Sequence, residues 1–391
     1  MHRGPHVGRL RGQPRLAYDP PMRSIVCLNG PNLDQLGSRD PAIYGDRTLA
    51  ELEEQVMAWG AALGYEVACF QSNHEGEMVE AVHRIGDADG VVINPGALTH
   101  SSPALGDALA SCPVPVVEVH LSNIRQRERW RRRSFVAGPA TRSIVGRGPE
   151  GYRSALRHIA NRATWPVQTV RYGPHPDQVI DLRQVDGATN GVVLIHGGFW
   201  GDVWEADTVE SWAVDLARRS LPSAVIEFRR VGFGGGLPAT TSDVSAAIET
   251  AVTALDLTAF ALVGHSSGGH LAVWATGDSG RPPAVTVAIS GIMDLEQAEM
   301  DGLGDGAVRR FDPGHTTSAM RAPLPPAPIA LIHGESDMVV PPAQSISYSA
   351  HLHSHGARVT LDLVNGGHFD ALDPRSDAWT TAVARLAEHL G

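Results

Sequence analysis

From residue 24 onward, short apolar runs alternate with longer segments that have the residue spacing of helices. The first five runs are SIVCLNG (24–30), EVACFQ (66–71), GVVINPG (90–96), VVEVHLS (116–122) and RSIVG (142–146). Such continuous apolar runs, separated by helical segments, are typical of strands buried on both faces of a parallel sheet. The pattern therefore predicts a doubly wound α/β domain over residues 24–164.

A second alternation begins after Trp165-Pro166, where the proline marks the end of a helix predicted over residues 149–163. Its apolar runs are QVIDLRQV (178–185), GVVLIHGG (191–198), SAVIEFRR (223–230), FALVGHS (260–266), VTVAISG (285–291), PIALIHG (328–334) and VTLDLVN (359–365). These runs predict a larger α/β domain over residues 167–391. Residues 1–23, rich in Arg, Pro and Gly, predict a disordered tail, and Met22 offers an alternative start of the chain.

The composition is that of a soluble globular protein. The 391 residues are 42% hydrophobic and 19% charged, and this length suggests two or three domains. A net charge of −11 disfavours nucleic-acid binding, so the basic run RQRERWRRR (125–133) is interpreted as an exposed helix face. No apolar run approaches the roughly 18 to 20 residues that cross a bilayer, so we expect no membrane partner.

Cysteine and lysine usage narrows the chemistry further. The three cysteines lack the spacing of a metal or redox site, and their scarcity favours a cytoplasmic protein without a disulfide framework. All 32 residues of the Lys+Arg count are arginine, which excludes a Schiff-base lysine and a P-loop lysine. We interpret HLHSH (351–355) as surface histidines and GFGGG (232–236) as a flexible loop, and we expect neither a metal nor a cofactor.

Polar residues follow the first four predicted strands. Because ligands of open parallel sheets bind beyond the carboxyl ends of the strands, these residues are expected to converge on one crevice. The residues are Asn32, Arg39, Tyr44, Asn94, His100, His120 and Ser122. Their chemistry suits a cofactor-free elimination beside a carbonyl, which needs a base, a stabilised enolate and an acid for the leaving hydroxyl. Arg39 supplies the permanent cation that would favour the phenolate of Tyr44.

The stretches LNGPNLDQLGSRDPAIYG, FQSNHEGE, VINPGALTHSS and VEVHLSN resemble type II 3-dehydroquinate dehydratase over residues 24–162. This resemblance implies a flavodoxin-like homododecamer that converts 3-dehydroquinate to 3-dehydroshikimate through an enolate. It implies that Tyr44 is the base and that His120 is the acid. It also implies that Arg39 lowers the pKa of Tyr44, with both residues on a mobile lid. Asn32 would hold the water that stabilises the enolate.

The same resemblance implies a set of binding residues. Asn94, His100, Arg131 and the backbone amides of Leu121 and Ser122 would bind the substrate, and Asp107 would reach the site of a neighbouring subunit. Glu118 would orient His120. Arg131 partly explains the basic run. The sequence departs from the family at Asp40, where glutamate is usual, and at Trp130, where phenylalanine is usual.

The second domain carries the pattern of a serine hydrolase. VGHSSGG places Ser266 in a G-x-S-x-G sequence between an apolar strand and a helix-like run, which is the context of a nucleophile elbow. Asp337 in HGESDMVVP and His368 in NGGHFD follow later strands, so the chain order is serine, aspartate, histidine. The HGGFW stretch resembles an oxyanion loop. The amides of Ser267 and of Gly198 or Phe199 would form the oxyanion hole.

These features resemble the α/β-hydrolase superfamily over residues 167–391, and HGGFW with GHSSGGHLA most resembles its kynurenine formamidase branch. The segment EFRRVGFGGGLPATTSDV (227–244) departs from that branch and resembles broader esterases. The substrate class, a small ester or a formamide, therefore stays open at this point.

Two hypotheses follow for the whole chain. In the first, it is a bifunctional enzyme that joins a lyase to a serine hydrolase. In the second, only the dehydratase is active, and the hydrolase domain is a silent or accessory module displayed on the oligomer. The sequence also leaves open whether the fusion channels an intermediate or only shares expression.

Overall fold

The structure is a computed structural model that describes residues 23–38, 45–278 and 280–391. Apart from Arg23, the predicted tail lies outside the described residues. The first strand begins at Arg23, one residue before its predicted start.

The N-terminal domain is built on a five-stranded parallel sheet. Its strands are β1 Arg23–Asn29, β2 Tyr65–Gln71, β3 Gly90–Asn94, β4 Val116–His120 and β5 Arg142–Val145. The order β2-β1-β3-β4-β5 is that of a flavodoxin-like fold, which confirms the predicted fold class. In the register, Cys27 of β1 lies beside Cys69 of β2 and Val92 of β3.

Helices cover both faces of this sheet. They are α1 Leu49–Ala62, α2 Glu75–His83, α3 Leu98–Ser101, α4 Pro103–Ala110 and α5 Glu150–Thr164. Every residue of β3 and β4 is buried, which explains the runs of Val and Ile in both strands, and the polar residues Asn94, Glu118 and His120 are buried with them. The helix α1 starts with a capping box in which Thr48 and Glu51 satisfy each other's backbone amides.

The C-terminal domain contains an eight-stranded mixed sheet. Its strands are β6 Gln168–Arg171, β7 Val179–Arg183, β8 Asn190–Ile195, β9 Ser223–Ile226, β10 Ala259–His265, β11 Val285–Ile289, β12 Ile329–Gly334 and β13 Val359–Val364. The order is β13-β12-β11-β10-β8-β9-β7-β6, with β7 antiparallel to both of its neighbours and the other pairs parallel. This arrangement confirms the predicted α/β-hydrolase fold.

The helices of this domain also lie on both faces of the sheet. They are α6 Glu210–Arg218, α7 Ala239–Ala254, α8 Ser267–Asp278, α9 Leu295–Met300, α10 Ala307–Phe311, α11 Ala343–Ser354 and α12 Asp377–Leu390. Trp212 of α6 stacks on Trp379 of α12 with ring centroids 4.6 Å apart, and both rings are fully buried. None of the described helices is both long and apolar enough to span a bilayer.

Buried ion pairs join the two domains. Arg142 of β5 donates to Asp181 of β7 at 3.0 Å and to Glu227 at 3.3 Å. His158 of α5 donates to Glu210 at the start of α6 at 2.8 Å. A buried charge that loses its partner is costly, so these pairs fix how the domains dock.

Two candidate active sites

A pocket of about 90 Å³ lies at the carboxyl ends of the strands of the first sheet. Seven of the predicted site residues line it, namely Asn32, Asn94, His100, His120, Leu121, Ser122 and Arg131. They come from the loops after β1, β3 and β4, which meet at this edge because the strands are parallel. The structure therefore brings together residues that are up to a hundred positions apart in sequence.

His120 is held by a buried carboxylate. Its Nε2 donates to Oε1 of Glu118 at 2.9 Å, and its Nδ1 makes no hydrogen bond to any described residue. Thr99, Ser134 and Ser143 also donate to Glu118, which is fully buried. Burial alone would raise the pKa of Glu118, but the hydrogen bond and charge of His120 and the other donors outweigh it and lower the pKa to about 2. The carboxylate is therefore ionised and fixes the imidazole ring.

Asn94 is fixed by a phenol that the sequence did not suggest. Its side-chain amide donates to the hydroxyl of Tyr152 at 2.9 Å, and that hydroxyl donates to Oδ1 of Asn29 at 2.8 Å. Burial raises the pKa of Tyr152 well above its usual value, so the phenol stays neutral and can keep donating. Tyr152 lies on the buried face of α5, where its sequence position looks like that of any core aromatic residue.

His100 and Arg131 also line the pocket. Nδ1 of His100 donates to the backbone oxygen of Arg133 at 2.7 Å, and its ring packs edge-on against Trp130 at 5.5 Å. Burial lowers the pKa of His100, which favours its neutral form. The guanidinium of Arg131 stacks over Trp130 at 4.5 Å. The basic run thus contributes residues to the pocket, and part of it forms a short 3₁₀ turn over Arg129–Arg132 where an exposed helix face was expected.

Of the other predicted dehydratase residues, two lie outside the described part of the chain and one does not line the pocket. Arg39 and Tyr44 fall within residues 39–44, which lie outside the described part of the chain. Asp107 is exposed on α4 and does not line the pocket, so its predicted contact with a neighbouring subunit stays a prediction. In the described ranges, no group of three His, Cys, Asp or Glu side chains could hold a metal ion.

In the C-terminal domain, Ser266 occupies a strained turn between β10 and α8. Its φ is 56°, in the left-handed region that a side chain rarely adopts. A side chain on Gly264 would lie 2.1 Å from the backbone oxygen of Gly268, and one on Gly268 would lie 2.3 Å from the oxygen of Ile195. The two glycines are therefore required sterically, and the turn has the geometry of a nucleophile elbow.

His368 and Asp337 form a close pair beside this turn. Nδ1 of His368 donates to Oδ2 of Asp337 at 2.7 Å. The backbone amides of Val339 and Val340 donate to the other carboxylate oxygen at 2.9 Å each. Burial would raise the pKa of Asp337, but the hydrogen bonds from His333 and His368 hold it well below its usual range. Asp337 is therefore an anion that fixes the tautomer of His368.

A small pocket of about 60 Å³ opens in front of Ser266. Its lining consists of Gly197, Gly198, Phe199, Trp204, Thr208, His265, Ser266, Val339, His368, Phe369 and Leu372. Gly198 and Phe199 have positive φ values of 118° and 52°. Ser267, the other predicted oxyanion donor, is the first residue of α8 and does not line the pocket.

Among the described residues, no Asp, Glu or Arg side chain lines this pocket, and its walls are mostly aromatic and aliphatic. Its second histidine, His265, donates from Nε2 to the backbone oxygen of His368 at 3.0 Å. Burial lowers the pKa of His265 to about 3, so this residue is neutral. Sequence reasoning missed Trp204, Val339, Phe369 and Leu372, which are distant in sequence from the G-x-S-x-G stretch.

Comparison with known proteins separates the same two parts of the chain. Residues 23–160 match the family described as dehydroquinase class II, and residues 238–382 match the prolyl oligopeptidase family. Over 139 residues the chain is 47% identical to catabolic 3-dehydroquinase 1 of Neosartorya fischeri, covering 35% of this chain and 93% of that protein. Over 137 residues it is 50% identical to a 3-dehydroquinate dehydratase of Pelobacter propionicus, covering 34% of this chain and 92% of that protein.

Among solved structures, a truncated carbohydrate esterase from gut microbiota is 20% identical with a TM-score of 0.49, covering 57% of this chain and 96% of that one. The family model that matches the C-terminal part, over residues 238–382, is that of the prolyl oligopeptidases. The expected likeness to kynurenine formamidases is not tested by it and stays a prediction.

Proposed function

We propose that this chain, which belongs to the class II dehydroquinase family through residues 23–160, is a bifunctional enzyme. Its N-terminal domain would dehydrate 3-dehydroquinate to 3-dehydroshikimate, the reaction for which its relatives are named. Its C-terminal α/β-hydrolase domain would cleave a small ester or formamide. The observation that supports the first activity is the single pocket that holds seven of the predicted residues, with His120 anchored on Glu118.

In the proposed dehydration, the phenolate of Tyr44 takes a proton from the carbon next to the substrate carbonyl. The enolate that forms is stabilised through a water held by Asn32. His120 then gives a proton to the departing hydroxyl, so that water leaves as the double bond forms. The hydrogen bond to Glu118 supports this role, because it leaves Nδ1 of His120 as the ring nitrogen that can face the substrate.

Substrate binding would use Asn94, His100, Arg131 and the amides of Leu121 and Ser122. The chain from Asn94 through Tyr152 to Asn29 supports the role of Asn94, since it fixes the amide orientation before substrate arrives. Arg39 would keep the pKa of Tyr44 low enough for a base near neutrality. No metal or cofactor enters these steps.

In the proposed hydrolysis, Oγ of Ser266 attacks the carbonyl carbon and His368 accepts its proton. The oxyanion would be stabilised by the amides of Ser267 and of Gly198 or Phe199. The alcohol or amine leaves with a proton from His368, and water then releases the acid from the acyl-enzyme. The pair of His368 and Asp337 at 2.7 Å, beside the elbow of Ser266, is what supports this assignment over a silent module.

The experiment that tests the proposal uses the purified full chain. Dehydratase activity is followed by the absorbance of the conjugated product, with Tyr44→Phe and His120→Ala as controls. Hydrolysis is measured on N-formylkynurenine, a short aryl ester and a quinate ester, with Ser266→Ala as control. If the chain turns over none of the three faster than Ser266→Ala, the silent-module hypothesis replaces the second half of the proposal.

The assembly and the cellular location belong to the proposal as well. Class II dehydroquinases are oligomers, and we propose a cytoplasmic dodecamer in which Asp107 approaches a neighbouring site. Sedimentation of the full chain tests this directly. A mass of one or two chains at assay concentration would contradict it.

A further inference from the structure

The loop of residues 197–207, called here the HGG loop, rests directly on the dehydroquinase domain. The guanidinium of Arg147, from the loop after β5, donates to both carboxylate oxygens of Asp207 at 2.7 and 2.9 Å. Its Nε donates to the backbone oxygen of Val203 at 2.8 Å. The same guanidinium lies over the ring of Trp204, 4.9 Å from its centroid. One arginine therefore contacts three residues of the HGG loop.

A second arginine of the dehydroquinase domain holds the centre of this loop. Arg125 donates to the backbone oxygen of Asp202 at 2.9 Å, and the same nitrogen lies 2.9 Å from Oε1 of Glu205. The side-chain amides of Asn123 and Gln126 donate to Oδ1 of Asp202 at 3.1 and 3.0 Å. The HGG loop is thus contacted at five residues by groups outside the hydrolase domain: Asp202, Val203, Trp204, Glu205 and Asp207.

The ion pair between Arg147 and Asp207 is buried, so the conformation of the HGG loop depends on it. The side chains of Arg147 and Asp207 are 1% and 4% exposed. Burial would raise the pKa of Asp207, but the charge and hydrogen bonds of Arg147 lower it, so the pair is ionic. A buried carboxylate that lost this partner would be left unpaired, and the loop would have to move to reach water.

The contacts continue to the proposed oxyanion hole. Trp204 lines the pocket in front of Ser266. A side chain on Gly198 would lie 2.4 Å from Cβ of Trp204, so the backbone of Gly198 packs directly against this tryptophan. Any shift of Trp204 therefore moves both the wall of the pocket and the backbone whose amide is proposed to bind the oxyanion.

Arg147 also lies next to the dehydroquinase site. The amide of Gly146 donates to the backbone oxygen of His120 at 3.0 Å, and the amide of Gly148 donates to that of Leu121 at 3.0 Å. The short loop that carries Arg147 thus lies between the backbone of one proposed site and the wall of the other.

We propose that the hydrolase site is completed by the dehydroquinase domain, with Arg147 as the positioning residue that fixes Trp204 and the backbone of Gly198. This inference rests on the proposed hydrolase function and extends it. The pocket so formed would accept a neutral acyl group, because the lining residues that the structure describes are mostly aromatic and aliphatic and include no Asp, Glu or Arg. A hydrolase domain without its partner domain would then lack a fixed oxyanion loop.

The test compares full-length variants on aryl esters of acetate and of hexanoate, with kcat and KM measured separately. We expect Arg147→Met to lower kcat/KM by about 10-fold to 100-fold, as small displacements of catalytic groups do. The ratio between the two esters should also change, because Trp204 would no longer be held as a wall. Arg147→Lys, which keeps the charge, should recover part of the loss.

Arg162→Gln is the matched control. Arg162 forms another interdomain pair, with Asp181 at 3.1 Å, but it does not touch the HGG loop. Its loss removes an interdomain contact but should leave both kcat/KM values within about twofold, because Asp181 keeps Arg142 as a partner at 3.0 Å. The inference is overturned if Arg147→Met stays within twofold on both esters, or if Arg162→Gln shows the same loss and the same change in ratio.

A variant that does not fold is replaced by Arg147→Met combined with Asp207→Leu, since an apolar pair often substitutes for a buried ion pair without loss of stability. We expect this double variant to fold and to stay at least 10-fold slower, because the contacts to Val203 and Trp204 remain lost. Wild-type rates would overturn the inference.

The rate at which a fluorophosphonate labels Ser266 separates this inference from the proposed function. No labelling of the wild-type chain would reject the hydrolase function and the inference with it. Labelling of the wild-type chain at the same rate as Arg147→Met would reject the inference alone.

Discussion

Nδ1 of His368 lies 2.7 Å from Oδ2 of Asp337, and the carboxylate receives two backbone amides on its other oxygen. The aspartate is thereby saturated with donors and cannot rotate away from the imidazole. An anion in this position stabilises the imidazolium that forms when His368 takes the proton of Ser266.

Replacing this anion with its neutral isostere should therefore stop the reaction without unfolding the domain. We expect Asp337→Asn to lower kcat for ester hydrolysis by about 10⁴-fold, because the amide would hold the wrong tautomer of His368. The measurement is single-substrate kinetics beside Ser266→Ala. A loss of less than 10-fold would mean that Asp337 is a structural residue.

Glu118 offers a prediction about stability and pH. Its pKa in the folded protein is about 2, below its ordinary value of 4.5, so its ionised form stabilises the folded state. Because the folded pKa is the lower one, this contribution is complete above pH 4.5 and is lost as pH falls toward 2. We expect Glu118→Gln to lower the free energy of unfolding by about 1 to 3 kcal/mol at pH 7.

Urea unfolding at pH 7, 5.5 and 4 measures this effect. The difference between Glu118→Gln and the wild-type chain should be the same at pH 7 and 5.5 and should begin to narrow at pH 4. An exposed pair in the same domain, Glu150 with Arg153, supplies the control Glu150→Gln, for which we expect little change at any pH. If the difference in unfolding free energy between Glu118→Gln and the wild-type chain grew toward low pH, the lowered pKa of Glu118 would be contradicted.

Both folds could be predicted from the sequence because most of their strands are recognisable from their own apolar residues. Fully buried strands such as β3 and β4 consist mainly of Val and Ile, so they can be recognised in the sequence without any knowledge of their neighbours. The strand β6 did not stand out, because Gln168–Arg171 is a short edge strand with mostly exposed, polar residues. Its pairing with β7 depends on tertiary contacts that no local pattern encodes.

The site residues likewise fall into a group that the sequence predicts and a group that it does not. Residues at strand ends, such as His120, were predictable because the parallel topology fixes where strands end. Tyr152 and Arg147 were not predictable. Tyr152 reaches Asn94 from a helix 58 residues away, and Arg147 acts across a domain interface. Such roles depend on which helices, loops and domains contact one another, and a single amino-acid sequence does not show these contacts.

Removing the hydroxyl of Tyr152 tests the positioning of Asn94. In Tyr152→Phe the side-chain amide of Asn94 would lose its acceptor, and only the hydrogen bond from the backbone amide of Gly96 at 3.3 Å would still orient it. We expect KM for 3-dehydroquinate to rise about 5-fold with kcat little changed, since one hydrogen bond is worth about 1 kcal/mol. Steady-state kinetics measures both constants. Leu156→Ile, a core change on the same helix, is the control for general loosening of α5. An equal rise of KM in both variants would remove the specific role of Tyr152.

Arg39 and Tyr44 give the last prediction, which concerns the pH profile of dehydration. If Arg39 lowers the pKa of Tyr44, its replacement by methionine lets that pKa rise toward the reference value of about 10. The acid limb of kcat/KM would then move to higher pH, so activity lost at pH 7 would partly return at pH 9. Tyr44→Phe has no phenol to ionise and should be inactive across the whole range. A profile of Arg39→Met that is lowered uniformly, without a shift of the acid limb, would show instead that Arg39 binds substrate and leaves the pKa of Tyr44 unchanged. The shift of the limb therefore decides between an electrostatic role and a binding role, which the loss of activity alone could not do.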